Sequence, residues 1–232
     1  MKKLLFIIFT LICANHCPAQ DVVERKNKLT DFVSEKYQTI IQPNKQVKQG
    51  VYHAFYDKKI VLASGSYAND KRTGIWHFFD PQGKLLENYN YDTNNLLYEA
   101  PETTSSNIRY SIDNKITITD IITKPVRPGG RYFGYVPYLK AFKLPYDLQN
   151  TNREQYDVVL ELLVSPMGRL ADYKIHIRYV NNETDLIMIN IDPHLISEED
   201  KVFIPATWNS QPIASTILVK CFITRFDSID IY

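Results

Sequence analysis

Histidines, a lone cysteine and one dense acidic run are the residues whose types and spacing could do chemistry in this sequence. His53 and His77 stand at equivalent places in two similar segments, Gly50-Val51-Tyr52-His53 and Gly74-Ile75-Trp76-His77. Imidazole is a common metal ligand, but a zinc site needs three or four N, S or O donors. No carboxylate and no second cysteine falls at a matching spacing, so the pair reads as sheet surface, and no metal is expected. Cys221 lies in the apolar run Ile217-Leu218-Val219-Lys220-Cys221-Phe222-Ile223 and reads as a buried, inert thiol. Glu198-Glu199-Asp200 has no histidine at ligand spacing and reads as a solvated face. His176 and His194 have no recognisable partner in sequence and read as structural or surface residues. Asn182-Glu183-Thr184 fits a glycosylation acceptor, a minor reading here. The Gly-x-Ser-x-Gly, His-Glu-x-x-His and phosphate-cradling glycine signatures do not occur. The expectation is a protein without catalytic residues and without a cofactor.

The elements that must position these residues begin with an address. Met1-Lys2-Lys3 precedes the apolar run Leu4 to Cys13, and Cys17 and Ala19 supply small residues before a cut at Gln20. That layout is a secretory signal peptide over residues 1–19, too short in its apolar core to span a bilayer. Cleavage removes Cys13 and Cys17 and leaves Cys221 alone, so no intramolecular disulfide is expected. The 232 residues hold 27 basic and 26 acidic side chains, a net charge of +1, with no basic footprint for nucleic acid. Sixteen tyrosines against 8 glycines argue for strands rich in aromatics rather than for disorder.

A repeat organises the first half. Gly50-Val51-Tyr52-His53-Ala54-Phe55-Tyr56 aligns with Gly74-Ile75-Trp76-His77-Phe78-Phe79-Asp80, Val61-Leu62 with Leu85-Leu86, and Tyr67 with Tyr91. Each unit reads as a strand, a turn (Asp57-Lys58-Lys59 or Pro81-Gln82-Gly83) and a second strand, and such hairpins bury a face only by stacking. Glu35 to Ile41 reads as an earlier strand, while Leu29, Phe32, Val33 and Tyr37 fit helical spacing, so a short helix is expected over 22–35. Tyr52, Tyr67, Trp76 and Tyr91 recur on the units and form either an aromatic binding face or, the favoured reading, the packed core. The Trp76 unit through Gly83-Lys84-Leu85 resembles the MORN-variant repeat, over about residues 46–98. That resemblance implies an interaction scaffold.

In the second half, Glu102 to Asn107 reads as a polar linker and Ile108 to Ile122 as lead-in strands. Tyr135 to Leu144 reads as a helix stopped by Pro145. Tyr156 to Val164 and Tyr173 to Tyr179 read as strands joined around Gly168, and Thr216 to Phe226 as the last strand. Asp185 to Asn190 fits either a short helix or a strand. The succession Pro128-Gly129-Gly130, Tyr138-Leu139, Leu144-Pro145, Phe203-Ile204-Pro205-Ala206 and Asn209-Ser210-Gln211-Pro212-Ile213 resembles the TonB C-terminal domain over about residues 124–226. Leu144 stands where that family usually has Tyr, and Ser210 replaces its turn glycine. The resemblance implies binding of an extended peptide of an outer-membrane receptor beside a strand, with Ile217, Leu218, Val219, Lys220, Cys221, Phe222 and Ile223 as the edge. Some members contact peptidoglycan instead.

The expected fold class is α+β: an N-terminal sheet of MORN-like hairpins over 20–100, a linker over 101–123, and a TonB-like two-layer α/β domain over 124–232. The expected function is that of an exported, non-enzymatic protein of a Gram-negative periplasm or envelope. It binds a protein partner, or peptidoglycan, but no nucleic acid. Lacking the family's inner-membrane helix and Pro-rich spacer, it is not expected to transduce energy. The alternative is a structural or immunity-type protein that acts through the repeats.

Overall fold

The computed structural model describes residues 22–43, 45–113, 115–149, 151–180 and 184–232. The leader read at 1–19, and the Asn182-Glu183 part of the glycosylation signal, lie outside them. Seven strands, β1 (Val22–Lys28), β2 (Val33–Gln42), β3 (Lys45–Tyr56), β4 (Ile60–Ala68), β5 (Lys71–Phe79), β6 (Leu85–Asn90) and β7 (Asn95–Glu99), form one antiparallel sheet in chain order. The two repeat units are its hairpins β3–β4 and β5–β6. Asp57 and Lys58 both hold positive φ, as do Asn69 and Asp70, which is the two-residue turn whose twist matches that of paired strands. The helix expected over 22–35 is instead β1 and the turn Leu29–Phe32, in which Thr30 Oγ1 accepts from the Val33 N–H. Registered pairing of all seven β1 residues with β2 outweighs a helical spacing carried by few apolar residues.

The chain then runs through β8 (Ile108–Ser111), β9 (Ile122–Thr123) and the single helix α1 (Val136–Leu139). The remaining strands are β10 (Tyr156–Val164), β11 (Leu170–Tyr179), β12 (Asp185–Asn190), β13 (Ala206–Trp208), β14 (Gln211–Ile213), β15 (Ser215–Ile223) and β16 (Ile229–Ile231). The second sheet has the order β12-β11-β10-β15-β16, with β8 also on β15, and β14-β13-β9 form a small third sheet. The α+β expectation with a two-layer α/β C-terminal domain is corrected by this architecture, which is almost wholly antiparallel β. Pro137 stands in the first turn of α1, and residues 142–145 hold no regular secondary structure, so α1 is one helical turn long. Asp185–Asn190, open between helix and strand in the sequence, is a strand, as its Ile content and its apolar stripe along one side of β11 require.

The linker region at 101–123 separates two sheets but not two cores. Buried residues of both halves belong to one apolar cluster. Trp76 and Phe78 of the first sheet and Leu160, Tyr173 and Ile217 of the second are all at most 1% exposed. The segment from Tyr132 to Leu144 fills the space between them. Phe133 stacks on Phe78, with ring centroids 6.0 Å apart, and Tyr138 meets Tyr173 edge-on at 5.5 Å. Close packing shows most plainly at Gly65, where a Cβ would lie 2.2 Å from the Trp76 indole. Among the described residues no helix is long and apolar enough to cross a membrane.

Candidate functional site

A sheet edge exposes backbone N–H and C=O groups that can pair with another strand, and proteins usually blunt it with charge, proline or bulges. The edge expected at Ile217–Ile223 is not open. One side of β15 pairs with β10 over Ser215–Cys221, and the other is covered by β8 over Thr216–Val219 and by β16 over Cys221–Ile223. The Lys220 N–H between them donates to the Asn107 carbonyl, 2.8 Å away. The alternating burial of Ile217, Val219, Cys221 and Ile223 is thus that of a central strand, because residues 108–111 and 229–231 return to flank it.

Among the described residues, the first sheet ends at β1 and β7, the second at β12 on one side and at the short β8 and β16 on the other, and the small third sheet at β9 and β14. β1 is defended: Glu24, Arg25, Lys26 and Lys28 are exposed along it, and Glu24 pairs with Lys36 at 2.7 Å. β7 is five residues long beside a register shift, its last residue Glu99 pairs with Lys124 at 2.6 Å, and its Leu97 and Tyr98 are largely exposed. β12 carries no charge along its middle, although it starts at Asp185 and pairs with β11 across a register shift between Ile177 and Arg178. Its residues Leu186-Ile187-Met188-Ile189 carry no charge and no proline, and among the described residues only β11 pairs with it. Ile187 and Ile189 lean on the core, whereas Leu186 and Met188 are 42% and 52% exposed. Across from them on β11, His176 stands opposite Met188 and Lys174 opposite Asn190. His176, read from sequence as partnerless, has Nε2 2.9 Å from Glu161 Oε2.

The repeat aromatics do not make a face. Tyr52, Tyr67 and Trp76 are at most 7% exposed, Tyr91 is half-buried, and Trp76 lies within 5.1 to 5.7 Å of the other three rings. Their packing closes the inner side of the repeat sheet against the second half. His53 and His77 point to the opposite, open side, on either side of Ser64, and His77 Nδ1 lies 2.7 Å from Asn88 Oδ1. Among the described residues no group of three or more His, Cys, Asp or Glu side chains is placed to hold a metal. Cys221 is fully buried, and burial pushes its thiol pKa far up.

What the sequence did not reveal is a set of buried charges between the halves. Asp200, read as part of a solvated run, accepts from Arg127 at 2.8 Å and from Arg72 at 3.2 Å. Burial favours the neutral acid, but the two guanidiniums outweigh it and hold Asp200 below the usual range. Glu87, 2% exposed, accepts from the Gly129 N–H at 2.8 Å; burial against that opposing bond pushes its pKa up to about 7. Gly129 has φ of +133°, and a Cβ there would meet Gly134 Cα at 2.5 Å, so only glycine brings its N–H to Glu87. On the other side of the same strap, Asp230 accepts from the Tyr132 hydroxyl at 2.8 Å, and burial raises it to about 6. His194 is exposed, with its N–H on Asp192 Oδ1 as a turn cap. The Arg-Pro-Gly-Gly-Arg-Tyr stretch was a signal that could have been read: two arginines and paired glycines inside an apolar region ask for carboxylate partners.

Alongside known proteins, the chain matches no family model, no curated protein and no solved structure. The class that fold and site define is a mostly antiparallel β protein, with two large sheets on one shared core and an edge strand, β12, that is uncharged along its middle.

Proposed function

We propose that this protein is an exported, non-enzymatic component of a Gram-negative envelope that binds a protein partner by strand addition at β12. The partner supplies an extended segment whose main chain pairs with the outer side of Asp185–Asn190, and whose side chains pack beside Leu186 and Met188. This moves the peptide-binding role implied by the TonB resemblance from residues 217–223 to 185–190. The MORN-type hairpins serve as the scaffold against which the second sheet is held. The observation carrying the reading is the contrast between the charged edge β1 and the six-residue edge β12, whose middle residues Leu186 to Ile189 carry no charge and no proline.

The test uses the full chain as bait, because the two halves share a core, on a solubilised envelope fraction beside a peptidoglycan sedimentation assay. A Leu186→Lys/Met188→Lys variant and a control Leu97→Lys variant on β7 are compared with wild type. Capture lost in the β12 variant and kept in the control supports strand addition. Capture that survives the β12 changes and fails in the control assigns binding to the repeats, and sedimentation without protein capture makes the protein a wall-binding module. Either result rejects the proposal.

A further inference from the structure

A cleft of about 350 Å³ opens between the repeat sheet and the segment around α1, with Lys48, Tyr52, Tyr67, Asp70 and Glu199 in its walls. Three rings surround the Lys48 side chain, and two of them, Tyr52 and Tyr67, also line the cleft. The Lys48 ammonium lies 4.4 Å from the ring centroid of Tyr37, 5.0 Å from that of Tyr67 and 5.7 Å from that of Tyr52. Glu35, 8% exposed, adds a carboxylate oxygen 3.8 Å away. Three tyrosines and one anion around a cation are the geometry by which proteins bind ammonium groups.

Two features separate this box from an ordinary ion pair. The Glu35 oxygens are engaged elsewhere, by the Tyr52 hydroxyl at 2.9 Å and the Asn27 amide at 3.0 Å, and 3.8 Å is beyond hydrogen-bond length. What the box presents to the ammonium at these distances is charge and ring faces rather than a direct hydrogen bond. A methylated ammonium gives up no hydrogen bonds on entering such a place, whereas a primary one gives up those it made to water. The backbone of Lys48 is pinned, its N–H on Asp70 Oδ1 at 2.7 Å and its carbonyl on the Asp70 N–H at 3.1 Å. Its side chain is 30% exposed, and its flexible stem can swing out toward the Asp70 carboxylate in the same cleft, which also pairs with Lys45 at 3.3 Å.

We propose that the cleft binds a ligand bearing a quaternary ammonium group, and that Lys48 is its internal stand-in, displaced when the ligand enters. The proposal is independent of strand addition at β12. The cleft is lined by the four carboxylates Glu35, Asp70, Glu199 and Asp200 against Lys48, Arg72 and Lys140, a slight excess of negative charge for a cation. Because the ligand must displace Lys48, its apparent affinity falls by the fraction of time the box stands empty.

Calorimetric titration of the full chain with choline chloride, against sodium chloride at equal ionic strength and against ethanolamine, tests this. Saturable choline binding to wild type is expected, with ethanolamine weaker. Lys48→Ser, which removes the stand-in from a partly exposed site, tightens choline about tenfold if the box is occupied nine-tenths of the time. Tyr37→Leu in the Lys48→Ser background, chosen because Tyr37 is half-buried rather than core, weakens it again. Circular dichroism melts confirm that each variant is folded, and for a variant that is not, choline-induced chemical-shift change at the Tyr67 ring of wild type is read instead. No saturable binding to wild type, an unchanged or weaker Lys48→Ser, or equal affinity for ethanolamine overturns the proposal. Binding by Lys48→Ser alone also overturns it, because the box is then only a clip for Lys48.

Discussion

Replacing Glu87 by Gln should make the protein more stable at pH 8 and remove much of its loss of stability with rising pH. Glu87 sits on β6 facing the Pro128–Gly130 strap, with the Gly129 N–H on its Oε1 at 2.8 Å and Glu99 and Arg127 as the charged groups nearby. Its folded pKa of about 7 is raised from 4.5, so the native state prefers the protonated acid. A raised pKa contributes stability that is complete below the unfolded value and disappears as pH rises through the folded one. Over the window from about pH 4.5 to 8 the change is about 3 kcal/mol, from roughly 1.4 kcal/mol per pKa unit. For a chain of this size that is on the order of 6–12 °C in melting temperature. Gln keeps the carbonyl acceptor for Gly129 and carries no charge to desolvate. Asp230 contributes in the same direction, with its folded value of about 6 raised from 3.8, so the wild type and the variant must be compared at each pH. Urea midpoints of both proteins from pH 5 to 8 give the difference curve. It should be near zero or unfavourable to the variant at pH 5 and favour the variant progressively toward pH 8. A variant that is less stable at pH 8, or that shows the same pH slope as wild type, refutes the reasoning.

Asp200→Asn leaves the buried Arg127 guanidinium without its counter-charge and Arg72 with Glu199 alone at 3.9 Å, and should cost about 3–5 kcal/mol, read from denaturant midpoints at pH 7. Because the Asp200 carboxyl is held low, its contribution is present above the unfolded aspartate value and lost in acid, so wild type and variant should converge as pH falls through that range. Gly65→Ala drives a methyl into Trp76 and should destabilise by about 1–3 kcal/mol, with a shift in Trp emission that a surface change would not produce. The Cys221 thiol, fully buried and shifted toward the neutral form, should react with a disulfide reagent only as fast as the protein opens, and at once in denaturant.

Legibility in the sequence followed the local signal. The hairpins β3–β4 and β5–β6 carry both periodic aromatics and turn residues, so their strands could be placed from the repeat alone. β10 could be placed because Tyr156 to Val164 alternates cleanly with a buried face. β1 was hidden by its composition: an edge strand rich in Lys, Arg and Glu has no apolar periodicity to read, and that composition is itself the edge's defence. The two-layer α/β expectation failed where α1 ends after one turn at Leu139 and where β-branched residues drew 185–190 into the sheet. The misplaced edge has a tertiary cause, since nothing local to Ile217–Ile223 says that residues 108–111 and 229–231 return to cover it. The buried charges failed for a similar reason. Asp200 lies 128 residues from Arg72 along the chain, and a solvated and a paired carboxylate look alike in sequence.

Hydrogen–deuterium exchange of the full chain, with and without the partner segment it captures, tests strand addition most directly. New protection of amides within residues 185–190 on binding, with β1 and β7 unchanged, is the expected result. Protection that appears over 22–28 or 95–99 while 185–190 exchanges as before would contradict it.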